Sequence, residues 1–132
     1  MILDTTVLIA AERGGSAIDQ VVGDEDDVAI AAVTAAELLV GVELADRRRR
    51  PARQEFVDAL LSSLPIEPYD LAVARSHALL LAHTRRSGRA RGAHDLLIAA
   101  TALAANRTVV SADAAGFEDL PGVSLHVLPP AD

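Results

Sequence analysis

Apolar residues follow two patterns along this chain. Short runs rich in β-branched residues predict five strands, and consecutive apolar positions indicate burial on both faces. These runs are residues 2–3, 28–33, 64–67, 108–111 and 123–127. Apolar residues at helical spacing predict helices over residues 7–12, 35–46, 56–64, 71–86 and 95–106. Strands that alternate with helices predict an α/β fold with a parallel sheet covered by helices on both faces.

Composition sets the limits on this picture. The chain has 132 residues, of which 51% are hydrophobic, and we expect a single domain over residues 1–132. Cysteine and lysine are both absent, which excludes disulfides, thiolate metal sites and chemistry that depends on a lysine amine. No apolar run is long enough for a membrane span, and Asp4 follows the start at once without a basic leader. We therefore expect a cytoplasmic protein without membrane attachment.

The formal net charge of −7 argues against polyanion binding by the whole surface. The arginines are nevertheless clustered in the two segments 47–53 and 85–91. A local basic patch is therefore compatible with the acidic total, because the distribution of charge matters more than its sum.

Certain acids occupy one kind of place in the predicted fold. Asp4 ends the first strand, Glu37 follows the second, and Asp113 comes just after the fourth. Because the carboxyl ends of parallel strands share one edge of a sheet, we expect these three acids at that edge. Asp95 opens a helix and is not placed by this argument, but with it four carboxylates would converge. Such a cluster repels itself unless cations neutralise it, and oxygen ligands suit Mg²⁺ or Mn²⁺.

Each acid also has a purely structural interpretation. Asp4 can cap the helix after it, and Thr34 with Glu37 forms the pattern of a capping box. Asp95 suits the first turn of a helix, and Asp113 suits a turn. Taken one at a time, these interpretations are favoured over a catalytic one.

Two details favour a site. Glu37 shares its predicted helix face with Val40, Gly41 and Leu44, and Asp95 lies above small apolar residues. A carboxylate on an apolar face is costly unless it is paired or binds a metal.

Four segments carry a resemblance to a known family. They are residues 2–10, 34–41, 95–103 and 109–113. In this order they resemble the motifs of PIN-domain ribonucleases and, more closely, of the VapC-type toxins of toxin–antitoxin pairs. The resemblance extends over essentially the whole chain.

The resemblance implies a PIN-like three-layer sandwich with a five-stranded parallel sheet, and an endoribonuclease that needs Mg²⁺ or Mn²⁺. By this likeness Asp4, Glu37, Asp95 and Asp113 are the catalytic and metal-binding acids. Two hydroxyl residues that support them would be Thr6 and Ser111. The chain departs from the family at one place, since many relatives have a further acid where it has Gly116.

The expected chemistry is metal-assisted hydrolysis of an RNA phosphodiester. Four arginines ahead of Asp95 are candidates for binding RNA phosphates, with a solvated loop as the equal alternative: Arg85, Arg86, Arg89 and Arg91. His94 is a further candidate for substrate contact. The resemblance also implies a homodimer and a small antitoxin partner.

Other functions remain open at this stage. A PIN-fold interaction module without catalysis is compatible with Gly116, and a DNA-directed nuclease of similar fold is a third possibility. A phospho-accepting receiver domain is set aside, because it needs a lysine that this chain lacks.

Overall fold

The computed structural model describes residues 1–14 and 27–128. Strands and helices occur in the order that the apolar pattern predicts. In chain order the elements are β1 (Ile2–Leu3), α1 (Thr5–Glu12), β2 (Ile30–Ala31), α2 (Ala32–Leu44), α3 (Arg50–Ser63), β3 (Ile66–Glu67), α4 (Leu71–Ser87), α5 (Ala93–Ala104), β4 (Val109–Ser111) and β5 (Leu125–Val127).

All the strand pairs are parallel, but the predicted single sheet of five strands is wrong in part. One sheet has the order β1-β4-β5, and β2 and β3 form a separate pair. A single parallel bridge between Ile2 and Ala29 connects the two within the described residues. The ladder is short there because α2 begins directly after Ala31, which is the N-cap of that helix.

The strands separate two cores, and successive side chains along each strand enter opposite ones. Ile2 and Val109 pack into the core under α4 and α5, together with Leu80 and Ile98. Leu3 and Val110 pack into the other core, under α1, α2 and α3. The three layers of the expected fold are therefore present.

Two helix starts differ from the predictions. α2 begins at Ala32 rather than at residue 35. α3 begins at Arg50 rather than at residue 56, so the arginine run lies at a helix N-terminus, where the dipole opposes cations. Carboxylates compensate, since Arg50 lies 3.1 Å from Glu43 and Arg53 lies 2.9 Å from Glu12.

Helix α4 runs almost as predicted, although it is less buried than its apolar composition indicates. Val73 and Leu80 are buried, whereas Leu71 and Leu79 are each 66% exposed. No helix in residues 1–14 and 27–128 combines the length and the apolar character needed to cross a membrane.

Neighbouring leucines on α4 provide a test of this packing. Leu80→Ala should lower the free energy of unfolding by about 2–5 kcal/mol, because the fully buried side chain leaves a cavity. The control Leu79→Ala should change it by less than about 0.5 kcal/mol, because that side chain is exposed. Urea denaturation measures both, and equal losses would contradict the packing described.

Candidate active site

The Asp4 carboxylate is buried and is held by several hydrogen bonds. It lies between β1 and α1, is only 4% exposed, and accepts three hydrogen bonds. Thr5 N donates to Oδ1 at 2.7 Å, and the hydroxyls of Thr6 and Ser111 donate to Oδ2 at 2.8 and 2.7 Å. Donors of this kind stabilise the charged carboxylate where water is excluded.

The two hydroxyl residues also tie α1 to the chain after β4. Thr6 Oγ1 accepts a hydrogen bond from Ala112 N at 3.1 Å, and Ser111 Oγ accepts one from Asp113 N at 2.9 Å. Both residues were predicted to support Asp4, and the structure brings both into contact with it.

Glu37 reaches the same place from α2. Thr5 Oγ1 donates to its Oε1 at 3.1 Å, and His94 Nδ1 lies 3.4 Å from its Oε2. The capping-box interpretation is wrong, because α2 begins before Thr34 and has no side-chain cap.

The expected apolar face around Glu37 is also not found. Val40 and Leu44 on that side of α2 are 53% and 81% exposed. Contacts with Thr5 and His94, rather than burial against an apolar face, therefore fix the direction of the carboxylate.

Asp113 stabilises a turn, which was its structural interpretation in the sequence. It is exposed, and its Oδ1 accepts a hydrogen bond from Ala115 N at 3.0 Å, which closes a local turn. Its backbone N–H is bound to Ser111, so the residue stays next to the hydroxyl that holds Asp4.

Asp95 joins the other acids through its charge. Burial raises the pKa of the Asp95 carboxyl above its ordinary value of 3.8, and the negative charges of Asp4, Asp113 and Glu37 raise it further. His94 acts in the opposite direction and lowers the pKa. Asp4, Asp113 and Glu37 are therefore close enough to Asp95 to disfavour its charge.

The cluster is open rather than a closed cage. In the part of the chain that the structure describes, no three acidic or histidine side chains are placed to hold a metal ion between them. Mg²⁺, however, usually keeps several waters and takes only one or two carboxylates directly. The donor set of Asp4, Glu37, Asp95 and Asp113 consists of carboxylate oxygens, which are the ligands that such an ion prefers.

The arginines ahead of Asp95 divide into two groups. Arg85 and Arg86 lie exposed on the last turn of α4. Arg89 lies 3.3 Å from Asp119, and Arg91 Nη1 donates to Ala115 O at 3.3 Å, on the turn after Asp113. Arg91 is thus the arginine that the structure connects to the acidic cluster.

Sequence reasoning missed two contributors. Thr5 links Asp4 to Glu37, with its backbone on one and its hydroxyl on the other. Gly116 was noted only as a departure from the family, whereas the place where its side chain would begin is next to the Asp95 carboxylate. The pair Thr5-Thr6 directly after Asp4 was a usable signal for the first, but nothing local indicates the second.

Asp95 gives a pH-dependent prediction. Because the pKa of Asp95 is raised in the folded state, the contribution of this carboxyl to stability is fully present below its ordinary pKa. That contribution is lost as the pH rises through the raised pKa. Asp95→Asn should therefore raise the melting temperature at pH 7 in a chelator, even though the N-terminus of α5 favours an anion. The gain should shrink as the pH falls towards 4.

Calorimetry across this pH range measures the effect. The control is Asp58→Asn on the exposed side of α3, which makes the same change in net charge. A gain that is equal for both variants would contradict a specific cost at Asp95.

Sequence comparison identifies the family. The family model of the PIN domain matches residues 1–123. The chain is 39% identical over 116 residues to Ribonuclease VapC5 of Mycobacterium tuberculosis, covering 85% of this chain and 82% of that protein. It is 27% identical to Ribonuclease VapC of Rickettsia bellii over 133 residues, which is 100% of this chain and 98% of that protein.

Solved structures agree with these relatives. The crystal structure of VapBC-5, a toxin–antitoxin system of M. tuberculosis, has a chain 31% identical with a TM-score of 0.79, and 96% of each chain is covered. VapBC2 of Rickettsia felis, crystallised on a promoter DNA fragment, has the same fold, with a TM-score of 0.86 at 24% identity over 97% of this chain and 98% of that one. The family model and these relatives show that the chain belongs to the PIN-domain family and, within it, to the VapC ribonucleases.

Proposed function

We propose that this protein is a divalent-metal-dependent endoribonuclease that acts in the cytoplasm as the toxin of a toxin–antitoxin pair. The observation that carries the proposal is that Thr5 donates from its backbone to Asp4 and from its hydroxyl to Glu37, which brings two of the predicted acids together. The VapC relatives support the same reaction, because they are named ribonucleases and match 85% or more of this chain.

The four acids would hold Mg²⁺ or Mn²⁺, with Asp4 and Asp95 as the principal ligands. When bound, the ion activates water for attack on a phosphodiester and balances the charge that develops on the leaving oxygen. Thr6 and Ser111 fix the orientation of the Asp4 carboxylate, since both hydroxyls donate to its Oδ2. Their role is that of outer partners that orient a ligand.

RNA would approach from the side of the turn at residues 113–117. Arg91 is bound to Ala115 on this turn, and Arg89 lies beside Asp119. Arginines at the rim would bind phosphates and bring a polyanion to an acidic cleft.

An antitoxin partner is supported by the solved VapBC complexes and by an exposed apolar surface. This surface belongs to α1 and α2, and its exposed members are Ile9, Leu39, Val40 and Leu44. Contiguous exposed apolar residues mark protein interaction sites in soluble proteins. We also propose that the chain forms a homodimer, as the resemblance implies.

Loss of the Asp4 carboxylate tests the proposed reaction. Asp4→Asn should abolish cleavage of total cellular RNA by the antitoxin-free protein, while the circular dichroism spectrum stays unchanged. The wild type should cleave with Mn²⁺ or Mg²⁺ and not with a chelator. Asp58→Asn, an exposed acid on α3, is the control and should retain full activity.

The other functions predict different results in the same assay. A non-catalytic interaction module would cleave nothing with any metal, and a DNA-directed nuclease would cleave single-stranded DNA of the same sequence. Full activity of Asp4→Asn would exclude the mechanism proposed here.

Arg91 gives a separate prediction for substrate binding. Arg91→Ala should raise KM for RNA and reduce the salt slope of log Kd by about 1, because one phosphate contact is lost. Arg75→Ala is the control, since this exposed arginine lies twelve residues, or roughly 18 Å of helix rise, before the end of α4. An unchanged salt slope in Arg91→Ala would exclude a phosphate contact at this residue.

A further inference from the structure

Gly116 lies where a side chain has no room. A Cβ built on it would stand 2.8 Å from Asp95 Cγ and would overlap the Oδ2 atom of the same carboxylate. The backbone does not explain the glycine, because the glycines with left-handed φ in the described residues are Gly14, Gly88 and Gly122. Any L-residue could adopt the Gly116 conformation, so the obstacle is Asp95 itself.

The turn that carries Gly116 is held from several sides. Phe117 is 2% exposed in the core under α5, and its backbone N–H donates to Ala114 O at 3.0 Å. Arg91 binds Ala115 O, and Asp113 accepts a hydrogen bond from Ala115 N. The burial of Phe117 and the Arg91 contact link the turn to the rest of the fold, so a displacement of the whole turn would disturb both.

Asp95 is equally constrained at its backbone. The helix α5 that carries it is buried at Leu96 and Ile98. A Cβ at Gly92 would also be close to the carboxylate, at 3.1 Å from Oδ2. A Cβ on residue 116 would be too close to Asp95 Cγ as well as to Oδ2. Because rotation about χ2 of Asp95 does not move Cγ, the overlap is relieved only if χ1 of Asp95 changes.

We propose that Gly116 is a positioning residue for Asp95: the missing side chain admits the Asp95 carboxylate to its place beside Asp4, Glu37 and Asp113. In this chain Asp95 fills the space that an acid at residue 116 would need. An acid introduced there would displace Asp95 instead of adding a ligand. The role of Gly116 in metal binding rests on the proposed function, whereas its effect on the position of Asp95 does not.

A crystal structure of Gly116→Ala in a chelator tests the geometry without any metal. Asp95 should occupy a different χ1 rotamer, with the turn at residues 114–118 unmoved. A shifted turn with Asp95 in its original rotamer would overturn the proposal. Should Gly116→Ala fail to fold, the double variant with Asp95→Ala should fold again, because the overlapping carboxylate is gone. Failure of the double variant would also overturn the proposal.

Mn²⁺ affinity, measured by calorimetry with the metal alone, tests the role. Gly116→Ala and Gly116→Asp should each weaken binding by at least about tenfold. In the Asp95→Ala background, Gly116→Ala should cause no further loss, which a general structural defect would not produce. The control Gly41→Ala should be neutral, since its Cβ would meet only the Arg53 side chain at 3.7 Å.

Tighter Mn²⁺ binding by Gly116→Asp, or losses that add independently of Asp95, would overturn the proposal. A wild type that binds no Mn²⁺ would instead refute the proposed function. The crystal structure of Gly116→Ala would then still decide whether Gly116 positions Asp95.

Discussion

The structure depends on holding a charged carboxylate inside the carboxyl edge of the sheet. Asp4 follows β1 directly, is almost fully buried, and has three donors within 2.8 Å. Burial of a carboxylate without such partners would cost several kcal/mol. The hydroxyls of Thr6 and Ser111 are therefore needed at its Oδ2 atom, where they connect α1 to β4.

The other acids make this edge unfavourable as long as no cation neutralises it. The pKa of Asp95 is raised because burial and three neighbouring carboxylates disfavour its charge. Function and stability commonly conflict at active sites. The cost of charging Asp95 is of the kind that the cation we propose would offset.

The sequence predicted the layers well because burial on both faces leaves a clear pattern. Consecutive apolar residues such as Val109 and Val110 enter opposite cores, as expected for a covered parallel sheet. It failed where a local pattern was misleading. Thr34 and Glu37 match a capping box, but α2 begins at Ala32, and Glu37 instead contacts Thr5 and His94.

Gly116 shows why the site could be foreseen only in part. Topology brings Asp4, Glu37 and Asp113 to one edge, and this follows from strand order alone. The place of the Asp95 carboxylate depends on the packing of two distant segments, one before α5 and one after β4. No spacing in the sequence encodes that approach. In the sequence, glycine at residue 116 looks like the loss of a metal ligand. In the fold, the Asp95 carboxylate occupies the space that a side chain at residue 116 would need.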